Sequence, residues 1–188
     1  MNLFAVHPNP RVAARALCDR HVVKMTLETA QILCTAAQLL GNRAPYRPTH
    51  SKHPCVLWTA QRSANWDWVV RHGLALGEEF RRRFGREHAS LAVIRWASEH
   101  PVGPLRTSAR RQPFPQAMPE AYRGPDACLA YRRYYLAEKA HFARWKAPAQ
   151  PPSWWKQATA AGSLKRRPRV GSSRERPADS YSRTPLLR

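Results

Sequence analysis

The sequence predicts a mainly α protein: a single compact helical domain over residues 1–156, then a disordered basic C-terminal tail over 157–188. Three observations carry this. Apolar residues recur at helical spacing through most of the first 145 positions. Only one short stretch, at the start, offers itself as a strand. Beyond Pro148 the composition changes, and large apolar residues are almost absent from about Ala158 until Leu186 and Leu187.

Residues 1–6 are short and apolar, a strand or an extended lead-in. Asn9-Pro10 supplies an N-cap and an N1 proline, so a short helix follows over 12–18. Residues 19–41 read as one long helix. Val22, Val23, Met25, Leu27, Ile32, Leu33, Leu39 and Leu40 place apolar groups nearly all round it, which marks a central, buried helix. Gly41-Asn42 ends it. The loop RAPYRPTHSKHP follows, stiffened by prolines 45, 48 and 54. Residues 55–84 read as helix, although Gly73 and Gly77 argue against an unbroken run. Another helix covers 87–100, around Leu91, Ile94 and Trp96. Residues 101–119 are proline-rich loop. A last helix covers 126–145, introduced by Pro125. Trp154-Trp155 reads as an anchor docking back onto the domain.

The tail, LKRRPRVGSSRERPADSYSRTP, cannot bury enough surface to offset its chain entropy. Its charge adds salt-sensitive attraction to DNA, or it has no specific role. The whole chain carries a formal charge of +20 and a pI near 11.2. Such a balance points to a polyanionic partner, nucleic acid first and an anionic membrane surface second. No run of 18 apolar residues exists, so no membrane span is expected. MNLFAVHPNP lacks the basic and apolar regions of a signal peptide. The cysteines at 18, 34, 55 and 128 form no CxxC pair and read as reduced and packed.

One stripe interrupts the long greasy helix: His21, Lys24, Glu28 and Gln31, stacked on one face. Lysine and glutamate are seldom buried unless paired or needed, so the stripe is a candidate site wall. Its bland alternative is an ordinary Lys24–Glu28 pair on a solvated edge. The loop PTHSKHP groups His50, Lys52 and His53 with Thr and Ser donors, which suits a phosphate. A metal needs more ligands than it offers, and no metal or cofactor is expected. WTAQRSANWDWVVR brings Arg62, Asn65 and Trp66 close to Trp58; aromatic faces and amide edges hold unstacked bases, but tryptophans at helical spacing also form cores. PFPQAMPEAY is a structured loop, and AYRRYYLAEKAHFARWK places Tyr131, Tyr135 and Glu138 on one face beside Arg132. No Walker loop, nucleophile elbow or dinucleotide fingerprint is present.

The segments CDRHVVKMTLETAQILCTA, PTHSKHPCVLWTAQRSANWDW, PFPQAMPEAY and AYRRYYLAEKAHFARWK…PPSWW resemble a set of bacteriophage thymidine-hypermodification proteins, the amino acid:DNA transferases. The resemblance covers about residues 1–156. It implies an enzyme in the host cytoplasm that transfers an amino acid such as glycine onto phosphorylated 5-hydroxymethyluracil in phage DNA. Phosphate is displaced, and the modified DNA resists restriction. It assigns no catalytic residues, so roles follow from chemistry. His21 or Glu28 would take the amine's proton, and Lys24, His50, Lys52 and His53 would stabilise the phosphate. Arg62 or Arg132 would hold the amino acid's carboxylate. Trp58, Trp66 or Tyr131 would stack on the flipped base, with Gln31 and Asn65 nearby. The partners are then DNA containing modified thymine and a free amino acid, with no membrane. Two other classes fit the residues: a glycosylase-like base-processing enzyme, and a non-enzymatic DNA-binding accessory protein.

Overall fold

The computed structural model describes residues 1–100 and 102–162; the tail expectation for 163–188 lies outside the described residues. Within them the chain is helical. The helices are α1 (Pro10–Ala16), α2 (Asp19–Leu39), α3 (Pro54–Thr59), α4 (Ser63–Phe84), α5 (Leu91–Glu99), α6 (Ala127–Lys139) and α7 (Ser153–Ala160). A single 3-10 turn covers Glu120–Tyr122. Residues 1–6 form neither strand nor helix; the chain curls at Phe4, and Leu3 to Val6 are buried.

Helices α2 and α4 form the centre, with α1, α3 and α5 packed on them. The apolar character of α2 has the expected consequence: Val22, Met25, Ile32, Leu33, Cys34, Ala36 and Ala37 are buried. Val23 and Leu27, about 40% exposed on the outer edge, and Leu39 near the C-terminal end, 48% exposed, are the exceptions. Asn9 caps α1 by accepting from the Arg11 and Val12 N–H groups, with Pro10 at the first position. Gly85, at φ 72°, ends α4 in the left-handed conformation that suits glycine.

Gly73 sits where α4 meets α2 and α5. A Cβ there would lie 2.8 Å from Thr29 Cγ2 and 3.0 Å from Ile94 Cγ2. Both neighbours are β-branched and fully buried, so neither can swing away. Gly73→Ala is expected to cost about 1–3 kcal/mol by overpacking, despite alanine's better helix propensity. Urea denaturation checks this; an unchanged or raised midpoint would refute the close approach.

The helix expected over 12–18 runs Pro10–Ala16, the one expected over 87–100 begins at Leu91, and two others differ more from the sequence reading. Residues 55–84 are not one helix: the break falls at Ala60–Arg62 rather than at either glycine. Arg62 is extended (φ −147°), and it bridges to Arg106, while Ser63 N–H donates to the Arg106 carbonyl. A tertiary backbone contact thus overrides helical propensity. The last long helix stops at Lys139, short of 145. The chain turns there so that the Arg144 carbonyl accepts from Asp19 N–H, and Lys146 N–H donates to the Asp19 carboxylate. Helix α7 runs four residues past the boundary placed at 156, and its Trp155 is buried against Trp145. All four cysteines are free thiols. Among the described residues no helix is long and apolar enough to cross a membrane.

Candidate active site

The N-terminal segment lies along α2 and meets the polar stripe. Asn2 N–H donates to Glu28 Oε2 at 2.7 Å. The α-amine of Met1 lies 3.8 Å from the same oxygen, and Lys24 Nζ lies 3.6 Å from Oε1. Two residues on, the Phe4 ring stacks on His21 at 4.5 Å. Phe4 takes φ 44°, a left-handed conformation uncommon for a large side chain, so surrounding contacts must hold it there. Glu28 is only 8% exposed, whereas the Lys24 side chain is 66% exposed. The result is a carboxylate buried at its root, with an amine on each side.

The second half of the chain fixes this arrangement. Asn2 Oδ1 accepts from the Leu3 and Phe4 N–H groups, and its Nδ2 donates to the Ala117 carbonyl at 2.7 Å. Ala117 belongs to the PFPQAMPEAY loop. That loop is held by the Tyr131 hydroxyl, which donates to the Pro115 carbonyl and accepts from Ala117 N–H. Tyr131 is fully buried, and its ring leaves no face on which a base can stack.

From the histidine loop, His53 joins the site. Its Nδ1 accepts from Cys55 N–H, capping α3. Burial lowers its pKa, the Met1 amine and His50 lower it further, and Glu28 opposes them. His53 therefore stands within electrostatic reach of the amine and the carboxylate. His50 and Lys52 are exposed; His50 adopts φ 51° and its Nδ1 pairs with Thr49 Oγ1 at 2.7 Å.

The other sequence-predicted residues serve as braces. Asn65 is fully buried and bonds the Trp58 carbonyl and both the side chain and backbone of Gln112. Trp66 and Trp58 are buried with the core. Arg132 Nε donates to the Val6 carbonyl at 2.9 Å. Arg62 precedes α4 as its N-cap residue, with its backbone bridged to Arg106, and Gln31 is half-buried one turn beyond Glu28. Among the described residues no group of three His, Cys, Asp or Glu side chains is placed to hold a metal.

His21 is poorly suited to accept a proton near neutral pH. It is 6% exposed, and burial, then Lys139, Lys24 and Arg20, push its pKa down to about 3. A base for use near neutral pH needs a pKa closer to the working pH. The sequence reading also missed Asn2, since a lone asparagine near a terminus carries no pattern, and missed the Met1 amine altogether.

Burial holds a second histidine neutral: His72, stacked on Trp68, has its pKa lowered to about 4. Both folded values lie below the ordinary 6.5. The unfolded chain therefore binds the extra protons, and stability falls as pH drops below about 6.5 toward the folded values. Thermal melts from pH 7.5 to 5.0 should show this decline, and His72→Gln should flatten it. A Tm independent of pH over that window would contradict it.

The site is thus a buried carboxylate flanked by amines on a strongly basic helical scaffold. Residues 1–91 match the family model for pyrimidine dimer DNA glycosylase, a DNA-processing family. The matched part includes Met1, His21, Lys24, Glu28 and His53, and it ends before the loop and helix that carry Ala117 and Tyr131. Comparison with curated proteins and with solved structures found no match. DNA is common to this match and to the resemblance read from the sequence; amino-acid transfer is not part of the match.

Proposed function

We propose that the protein is a glycosylase-type enzyme that removes a damaged or modified pyrimidine from DNA. The observation that carries this reading is the contact of Glu28 with the Met1 amine, inside the region similar to pyrimidine dimer DNA glycosylase. In the reaction the C1′–N1 glycosidic bond breaks, and the base leaves with its electron pair. The unprotonated Met1 nitrogen forms the new bond to C1′. Glu28 takes the proton that this nitrogen sheds and returns it to the ring oxygen as the sugar opens to an imine. Water then hydrolyses the imine, which is still protonated on nitrogen; this leaves an abasic site and the amine as an ammonium, whose extra proton neutralises the base anion at N1. Lys24, beside Glu28, keeps the carboxylate oriented and faces the DNA backbone.

A second reading keeps the same carboxylate as base for an incoming amino acid, which displaces phosphate from phosphorylated 5-hydroxymethyluracil. The sequence segments that resemble the amino acid:DNA transferases favour it, as do the cations Lys24, Lys139 and Arg20 near His21.

One experiment separates the two. Protein is incubated with UV-irradiated DNA under borohydride, and separately with phosphorylated 5-hydroxymethyluracil DNA plus glycine, and the products are read by mass. A covalent protein–DNA adduct mapping to Met1, with one glycosidic bond of the dimer cut, establishes the glycosylase. A nucleoside heavier by glycine, with phosphate released, establishes the transferase and refutes the first reading.

A further inference from the structure

At the far end of the stripe a second site takes shape around His21. The Tyr135 hydroxyl accepts from the Cys18 N–H at 2.9 Å and lies 2.8 Å from His21 Nδ1. A phenol carries one proton. The amide donates to the oxygen, and the hydroxyl proton can point to Nδ1 or to the Cys18 thiol beside it; directed at Nδ1, it makes that nitrogen the acceptor. The imidazole proton is then on Nε2, the nitrogen on the other side of the ring. Phe4 stacks on one face of the ring, while Tyr135 and Phe142 meet it edge-on, so the ring cannot flip. Around it stand Arg20 and Lys24 from α2 and Lys139 from α6. Arg20 lies over the Phe142 ring, and Lys139 Nζ donates to the Tyr134 hydroxyl at 3.2 Å, so two of the cations are themselves positioned.

We propose that Tyr135 fixes His21 as a neutral Nε2–H donor, and that this donor with Arg20, Lys24 and Lys139 binds a phosphate of the DNA strand flanking the processed nucleotide. A neutral donor ringed by cations suits an anionic oxygen: it adds a directional hydrogen bond where the ammonium groups add point charges. His21 and Glu28 are seven residues apart on one helix face, about 10 Å along the axis. That span is roughly three base-pair rises of B-form DNA, which places the phosphate a few nucleotides along the strand from the reacting sugar. The low His21 pKa agrees with this assignment, because a charged ring is not needed for donation. Tyr135 acts only through His21 and is a positioning residue. The proposal rests on DNA being the substrate, not on which bond is cut.

Nitrogen-15 NMR of the histidine side chains tests the donor directly. The full-length protein should show His21 neutral and protonated at Nε2 at pH 6 to 8. Tyr135→Phe should alter that tautomer balance while the backbone spectrum stays folded. A ring protonated at Nδ1, or charged at pH 6, overturns the proposal.

Binding of a fluorescent DNA duplex tests the phosphate. His21→Gln, which keeps an N–H near the Nε2 position, should bind within a few-fold of the parent. His21→Phe should lose roughly ten- to hundredfold. Lys139→Gln should reduce the slope of log affinity against log salt by about one phosphate contact. Equal loss in His21→Gln and His21→Phe, or an unchanged slope in Lys139→Gln, overturns it. These readings concern binding and tautomer only. A protein that passes them yet cuts no glycosidic bond refutes the glycosylase and leaves the phosphate site standing.

Discussion

Glu28→Gln is expected to lower turnover by about 10²- to 10⁴-fold while leaving affinity for duplex DNA intact or slightly improved. The argument starts from position. Glu28 is 8% exposed, yet its oxygens meet an amine, an ammonium and a backbone N–H. Glutamine preserves the shape and one acceptor for Asn2 N–H, so the N-terminal segment should remain seated. It cannot take a proton from the Met1 nitrogen, and that is the function at stake. Removing a negative charge from a surface that binds phosphate cannot weaken long-range attraction. Single-turnover kinetics alongside DNA binding separate these effects. Loss of binding together with turnover would mark Glu28 as a structural residue, and full activity would remove it from the mechanism.

A related variant probes the support behind it. Asn2→Ala removes the hydrogen bond to the Ala117 carbonyl and the two bonds that curl the chain at Leu3 and Phe4. Turnover should fall by about 10- to 100-fold, since small misplacements of a catalytic group are costly, with little change in Tm. A large loss of Tm with unchanged turnover per folded molecule would show that Asn2 serves stability alone.

The stripe on α2 was legible in the sequence because helix geometry is local. His21, Lys24 and Glu28 share a face at fixed spacing whatever surrounds them. Helix starts at Asn9 and Asp126 were legible for the same reason, each capping through its own side chain. What surrounds the stripe was not legible. The bond from Asn2 to Ala117 spans 115 positions and that from Arg132 to Val6 spans 126, and neither leaves a periodic trace. Tyr131 and Trp66 illustrate the opposite error. A residue type that can stack on a base is equally suited to a core, and only burial decides between the two. The break at Arg62 is likewise a contact with Arg106 that local propensity cannot register.

The largest effect on stability is expected at Arg83, far from the chemistry. Its side chain has no exposure, and its guanidinium joins three helices. It donates to Glu79 on its own helix α4 at 2.9 and 3.1 Å, to Asp19 at the start of α2 at 3.1 Å, and to the Leu17 and Arg15 carbonyls at the end of α1. The planar five-donor fork is what allows one residue to close all these contacts. The α1–α2 corner is thereby locked onto α4. Arg83→Ala leaves Glu79, 3% exposed, without its buried partner, strands two carbonyls and opens a cavity. The expected cost is about 3–5 kcal/mol in urea denaturation. Most of that cost comes from the uncompensated groups and not from the strength of the pair itself. The double variant Arg83→Met with Glu79→Leu should therefore recover a large part of it. Arg82 and Arg15 also reach Glu79, from exposed positions, and they set the lower end of the range. A single-variant loss below about 1 kcal/mol would mean that these exposed arginines suffice to satisfy Glu79, and the lock at the corner would then belong to the apolar packing of α1 on α4.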